Sequence, residues 1–255
     1  MTPNVMSAAS PLRSTWLGRV DYLDGWRLQE AVAARVRAGA DERLLLLEHD
    51  AVYTIGRRGT TDHLLAGFGE LRRAGASVYR VDRGGDITYH GPGQLVGYPV
   101  VRLGDTPDLV RYVRALEGAL VEVLSSYGIG ARTERGKTGV WVDLPGSGLA
   151  AKVAAIGVRV SRGVTTHGFA LNVSTDLAAF ERMVPCGFAH EVASLERLGV
   201  AAAVQDVADR AAVALADRLG RQLTWSDVES ARDDEIAGDA PVRSAIDLAR
   251  EALAV

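Results

Sequence analysis

Cysteine is nearly absent from this chain of 255 residues, which has only Cys186. No internal disulfide can form, and that fits a reducing compartment. No apolar run approaches the length that crosses a bilayer. The first ten residues lack the basic start and apolar block of a secretory signal. Positive charge is not in excess either: 29 Lys and Arg stand against 32 Asp and Glu, a net −3. That balance gives no sign of a nucleic-acid binder, and pairs such as Arg57-Arg58 and Arg72-Arg73 read as solvated surface. The five histidines and one cysteine show no metal-ligand spacing such as Cys-x-x-Cys or His-x-x-x-His. No internal repeat is present. These absences predict a soluble cytoplasmic protein with no bound metal; it is expected to act as a monomer.

Apolar residues are plentiful at 47%, enough for a sizeable core in one large domain. Residues 1–13 read as a mobile start, 14–220 as the main domain, and 221–255 as a polar C-terminal extension with a helix. Residues 16–20 read as a strand. Asp24 reads as the N-cap of a helix through Leu28, Val32 and Val36 that stops at Gly39. The continuous apolar run 44–47 predicts a strand buried on both faces. Further strands are expected at 51–55, 77–81, 95–103, 139–144, 152–160 and 169–173, with Pro145-Gly146-Ser147-Gly148 as a turn. Short helices are expected at 70–74 and 176–183. A long one should start at Thr106-Pro107 and follow the stripe Leu109, Val113, Leu116, Leu120, Val123 and Tyr127 to Gly128. Another should span 204–219 before Gly220. A last helical pattern runs through Val242, Ile246, Ala249 and Leu253. Many strands with a few helices between them predict an α/β or α+β domain, a mixed sheet flanked by helices.

Three stretches carry chemistry. Arg83 to Gly93 holds four glycines, an arginine, an aspartate and a histidine. Glycine admits positive φ and close approach to a ligand, so the stretch reads as a binding loop or as a pair of turns. Residues 131–138, Ala-Arg-Thr-Glu-Arg-Gly-Lys-Thr, nearly match a phosphate-binding P-loop. The first glycine is missing, and residues 139–142 read as a strand where that motif opens a helix, so a P-loop is rejected. Cys186 lies between Pro185 and Gly187. A lone cysteine is commonly an inert apolar residue, but a Pro/Gly setting suggests a turn that presents the sulfur. A nucleophilic thiol needs a neighbour that favours thiolate, and Lys152, His90, His167 and His190 are candidates. Lys152 sits among apolar residues. Buried there, it would exchange protons near neutrality; at a strand end its ammonium would reach solvent.

Taken together, these stretches resemble the octanoyltransferases of lipoate biosynthesis. Arg83-Gly84-Gly85-Asp86-Ile87-Thr88-Tyr89-His90-Gly91-Pro92-Gly93-Gln94-Leu95 is similar to that family's signature. Lys152 to Gly157 resembles its Lys-x-Ala-Ala-Ile-Gly segment, Thr165 to Val173 its Thr-x-His-Gly-x-Ala-Leu-Asn-Val segment, and Pro185-Cys186-Gly187 its Pro-Cys-Gly segment. The four motifs occur in the family's order over residues 45 to 200; Val153 stands where isoleucine is more usual. The resemblance implies a biotin/lipoate protein ligase-like fold. It implies that Cys186 accepts the acyl group and that Lys152 lowers its pKa. It implies that Arg83, Gly84, Gly85, Asp86, Ile87, Thr88, Tyr89, His90, Ala155, Ile156, Gly157, Gly168, Phe169 and Ala170 line the acyl site. Ala154 and Ala155, with Gly84 and Gly85, are expected to leave room for the chain.

The implied reaction moves octanoyl from acyl carrier protein to a lysine on lipoyl domains of 2-oxoacid dehydrogenase complexes and on the glycine cleavage H protein. It needs no ATP, metal or other cofactor. Three other readings stand beside it. One is an ATP-dependent lipoate or biotin ligase of the same fold, which needs no nucleophilic cysteine. Another is a cysteine hydrolase with His167 or His90 as base. The last is a module that only binds acyl carrier protein.

Overall fold

The structure, a computed structural model, describes residues 10–146, 148–184 and 191–231. The Pro-Cys-Gly segment, His190 and the last helical pattern lie outside the described residues. In chain order the elements are β1 (Pro11–Val20), α1 (Tyr22–Arg37), β2 (Glu42–His49), β3 (Val52–Ile55), α2 (Phe68–Arg73), β4 (Ser77–Arg80), β5 (Ile87–His90) and β6 (Gln94–Val100). Then come α3 (Leu109–Ser125), β7 (Ala131–Glu134), β8 (Lys137–Asp143), β9 (Ala150–Ser161), β10 (Val164–Asn172), β11 (Glu191–Val192), α4 (Val204–Leu219) and β12 (Gln222–Trp225).

The main sheet runs β12-β1-β2-β6-β10-β9-β8-β7, with β11 added against β9. It is mixed: β1 lies parallel to β2 and β12, and β2, β6, β10, β9, β8 and β7 are successively antiparallel. The leucine run in β2 explains the layering. Side chains alternate across a strand, so Leu44 and Leu46 pack with α3 and α4, while Leu45 and Leu47 pack with α1. A smaller sheet, β4-β3-β5, carries α2 and its own core of Tyr53, Ile55, Leu71, Ile87 and Tyr89.

Several expectations shift. The cap of α1 is Asp21, whose carboxylate accepts from the Leu23 and Asp24 N–H groups; Asp24 sits in the first turn and pairs with Arg27. Helix α3 starts after Pro107, capped by Asp108. Its first expected stripe residue, Leu109, is exposed, and Tyr112, Ala119 and Leu124 join the core instead. The segment from Leu177 to Arg182 is a 3-10 helix, capped by Asp176. The P-loop-like stretch is a hairpin, β7 turning at Gly136 (φ 81°) into β8. β1 begins at Pro11 because it pairs with β12, Pro11 opposite Gln222, so the main sheet continues past residue 220. The stretch 83–93 is not one loop: its centre is β5, antiparallel to β3 with Ile87 opposite Ile55.

Candidate active site

A cleft of about 980 Å³ is lined by residues of both sheets. Its floor is the β9–β10 pair. Ala155 lies opposite Ala170, Ile156 opposite Phe169, and Gly157 opposite Gly168. Two segments distant in sequence thus form one surface, residue against residue. The glycine-rich loop rests on it. Gly84 N–H donates to the Val158 carbonyl at 3.0 Å, and a Cβ on Gly157 would lie 2.8 Å from the Gly84 carbonyl oxygen. The loop is held from beneath by the Gly56, Arg57 and Arg58 N–H groups, which donate to the carbonyls of Asp86, Arg83 and Gly85.

Arg83 lines the cleft, but its guanidinium is committed to the fold. Nη2 donates to the Thr54 carbonyl (2.6 Å) and Oγ1 (2.8 Å), and Nη1 to the Gly84 carbonyl (3.0 Å). Asp86 accepts from the Ile87 N–H and meets His63 Nδ1 at 2.6 Å. Gly84, Gly85, Asp86, Ile87, Thr88 and His90 line the cleft. Tyr89 is the exception. Its ring packs in the small sheet's core against Tyr53 and Phe180. Ala154 also faces away, into the core under α3 and α4.

Part of the cleft is walled by a set of buried imidazoles and phenols. His90 Nδ1 lies 2.7 Å from Gln94 Oε1. The Gln94 amide donates onward to the Tyr89 carbonyl and to Asn172 Oδ1, and Asn172 donates to the Ala193 carbonyl. His90 Nδ1 is therefore the protonated nitrogen. Burial, then the neighbouring His49 and Arg83, push its pKa down to about 3. His49 donates from Nδ1 to the Val20 carbonyl and accepts the Tyr98 hydroxyl at Nε2 (2.7 Å). Burial pushes it down to about 4. Tyr22 stacks on His90 at 6.1 Å. His167 takes φ 57°. Its N–H donates to Gln29 Oε1, and its Nε2 lies 2.7 Å from Asp82, which also pairs with Arg159. Burial raises the Asp82 pKa, but His167 and Arg159 outweigh it and hold the carboxyl below its usual range.

Lys152 lines the same cleft. It lies opposite Trp141 of β8, with Nζ 4.8 Å from the indole centroid. Ala155 and Lys152 are three residues apart, which in a regular strand places them on opposite faces. They share the cleft because β9 is bulged: Val140 pairs with Ala154 but Trp141 with Lys152, leaving Val153 extra. Val153 and Ala154 both point into the helix-side core, and Lys152 is returned to the cleft. Val192 of β11 is the partner of Lys152 on its other side, and Ala193 N–H donates to the Lys152 carbonyl. Before the segment that contains Cys186, Val184 N–H donates to the His63 carbonyl. Met183 and Val192, on either side of that segment, both line the cleft. His167 is opposite Val158, six residues along β9 from Lys152, or roughly 20 Å by strand rise.

The structure therefore gathers Lys152 and all the residues expected to line an acyl site, except Tyr89, around one cleft. Sequence reasoning missed Tyr22, Gln94 and Tyr98, whose signal is confined to tertiary contacts. It also missed the bulge, for which the odd spacing between Lys152 and Ala155 was the available clue. Among the described residues, no cluster of three or more His, Cys, Asp or Glu could hold a metal ion, and no helix is long and apolar enough to cross a membrane.

Residues 21–216 match the family described as the lipoyl protein ligase A/B catalytic domain. An octanoyltransferase of Solibacter usitatus is 51% identical over 196 residues, covering 76% of this chain and 86% of that protein. An octanoyltransferase of Mycolicibacterium gilvum is 46% identical over 225 residues, covering 88% and 92%. Among solved structures, a bipartite lipoate protein ligase of Thermoplasma acidophilum, described with its E2 lipoyl domain, superposes with a TM-score of 0.69 at 18% identity, covering 90% and 91%. A lipoate-protein ligase A bound with ATP gives 0.70 at 19% identity, covering 88% and 92%. These likenesses agree with the expected lipoate-ligase-like fold.

Proposed function

The chain belongs to the lipoyl protein ligase A/B catalytic domain family, and from that membership we propose that it is an octanoyltransferase of lipoate biosynthesis. It is an acyltransferase that moves octanoyl from acyl carrier protein to a lysine of lipoyl domains, those of 2-oxoacid dehydrogenase complexes and of the glycine cleavage H protein. It works as a cytoplasmic monomer, where its thiol stays reduced. The observation that carries this reading is the shared surface: the β9 and β10 segments pair residue for residue, the glycine-rich loop rests on them, and Lys152 faces the same cleft.

The chemistry runs through two residues. Lys152, as the neutral amine, takes the Cys186 thiol proton. The thiolate attacks the octanoyl thioester carbonyl, and the tetrahedral adduct expels the carrier's thiolate, which receives that proton. The new Cys186 thioester is nearly equal in energy to the old one. The acceptor lysine, as a neutral amine, then attacks the same carbonyl. Its proton passes to Lys152, the C–S bond breaks, and the amide leaves with the octanoyl group. The small residues Gly84, Gly85, Gly157, Ala155 and Ala170 leave the slot that the eight-carbon chain fills.

Intact-mass measurement after mixing with octanoyl-acyl carrier protein tests this. The wild type should gain one octanoyl group, lost again on adding a lipoyl domain. Cys186→Ser should gain none as a thioester. An unmodified chain that transfers octanoate to the acceptor only with ATP would replace the reading with a ligase. Octanoate released without acceptor would replace it with a hydrolase, and binding with no covalent adduct would replace it with a carrier-binding module.

A further inference from the structure

Of the 29 basic residues in the sequence only two are lysines, Lys137 and Lys152, and both reach the same ring. Lys137 Nζ lies 5.2 Å and Lys152 Nζ 4.8 Å from the Trp141 centroid. What brings Trp141 opposite Lys152 is the extra residue in β9, and the opposite strand shows how that irregularity is fixed. At the bulge Gly139 takes φ 120°, and a Cβ there would lie 2.6 Å from the Ala154 carbonyl oxygen and 3.4 Å from Lys152 Cε. Its N–H turns to a side chain: Glu117 Oε1 of α3 accepts it at 3.0 Å. Glu117 is fully buried, with Arg114 on its other oxygen. A carboxylate is costly to bury, and here its inner oxygen serves the one backbone amide beside the bulge.

We infer that Glu117 is a positioning residue for Lys152, acting through the Gly139 amide and the β9 bulge. α3 thereby reaches through the core and sets which face of β9 presents the amine. Without the Glu117 acceptor, the Gly139 N–H would need a ladder partner. The register that supplies one removes the extra residue and turns Lys152 toward the helices. The role of Lys152 in transfer belongs to the proposed function, and this inference rests on that reading for its catalytic consequence. The placement of the side chain is tested without any transfer step.

The two-lysine composition makes the test direct. The folded protein is labelled with a limiting amount of acetic anhydride over a range of pH, and the Lys152-to-Lys137 ratio is read by peptide mass spectrometry, with Lys137 as the exposed internal reference. Glu117→Leu, shown folded by circular dichroism, should lower Lys152 labelling several-fold and leave Lys137 labelling unchanged. Octanoyl transfer should fall in kcat toward the loss expected on removing the amine, on the order of 1,000-fold, with little change in KM for the donor. Glu117→Gln keeps an acceptor oxygen and should restore both readouts. Should Glu117→Leu fail to fold, Glu117→Asp keeps the charge but falls short of Gly139, and it should show the same loss.

Unchanged Lys152 labelling in folded Glu117→Leu or Glu117→Asp would overturn the inference. So would a loss in Glu117→Gln as large as in Glu117→Leu. If Lys152→Ala transfers normally, the proposed chemistry of Lys152 falls, while the labelling ratio still decides how Lys152 is held.

Discussion

Two groups of residues in the cleft are built on opposite plans. Around His90, the residues His90, Gln94, Asn172, His49 and Tyr98 form hydrogen-bonded chains whose donors and acceptors are all assigned. Burial keeps His90 and His49 neutral. Around Lys152, which adjoins this network through Ala193, an amine on a four-carbon stem lies against an indole face. The imidazoles of the first group define a shape and carry no charge near neutrality. The second presents a primary amine on the strand that pairs with Val192. The depressed pKa of His90 argues against it as the base of a cysteine hydrolase.

The sharpest way to break this contrast is to remove one side chain from each group. Lys152→Ala should lower octanoyl transfer by about 1,000-fold, within the range of lost acid–base catalysis, and should slow iodoacetamide alkylation of Cys186 at neutral pH. His90→Gln should cost transfer no more than about tenfold and leave alkylation unchanged. The reverse ranking would place proton transfer at the imidazole group.

Arg83 tests the wall of the cleft. The resemblance implied that it lines the acyl site, and its bonds to Thr54 and Gly84 show a guanidinium that holds the loop. Arg83→Ala leaves Thr54 acceptors buried and unpaired, so unfolding free energy should fall by about 3 kcal/mol, read from urea denaturation. Arg83→Lys should recover little, because one ammonium cannot span the same acceptors. A stable Arg83→Ala with impaired donor binding would return Arg83 to the substrate.

Gly157→Ala is a smaller insult to the same wall. The new methyl meets the Gly84 carbonyl at 2.8 Å, lifting the loop off β9. We expect a loss of about 2 kcal/mol in stability and a rise in KM for the octanoyl donor with kcat nearly kept. A fall in kcat alone would mean the loop touches the reacting atoms.

How much of this was legible in the sequence depends on what holds each part. β2 and α4 were readable because their burial is written in local periodicity. The leucine run takes apolar side chains on both faces, and α4 ends where Gly220 takes φ 64°. β7 and β12 were not, because they are short, largely exposed and exist only through their partners β8 and β1. In the site, the motif residues announced themselves, yet alternation within β5 sends Tyr89 to the other face from Thr88 and His90. Glu117 looked like one polar residue in a helix. Its function depends on Gly139, 22 residues on, meeting it across the core. Side chains that act through a third element leave no mark at a fixed spacing.

The smallest effect expected is the change that His90→Gln makes to stability against pH, and it tests whether the imidazole group is as fixed as its bonds imply. The folded values of His90 and His49 lie near 3 and 4, below the ordinary histidine value of 6.5. The unfolded chain therefore binds protons below about pH 6.5 that the folded chain refuses. Stability should fall as pH drops from 6.5, until about 4 for His49 and about 3 for His90. Each histidine should contribute about 1 kcal/mol per pH unit within its window. Urea midpoints measured at pH 7, 6 and 5 should show this decline, and His90→Gln should make it shallower by one proton. An identical slope in wild type and variant would mean that His90 takes up its proton in the folded protein, and the imidazole group would not be the fixed, neutral part of the cleft.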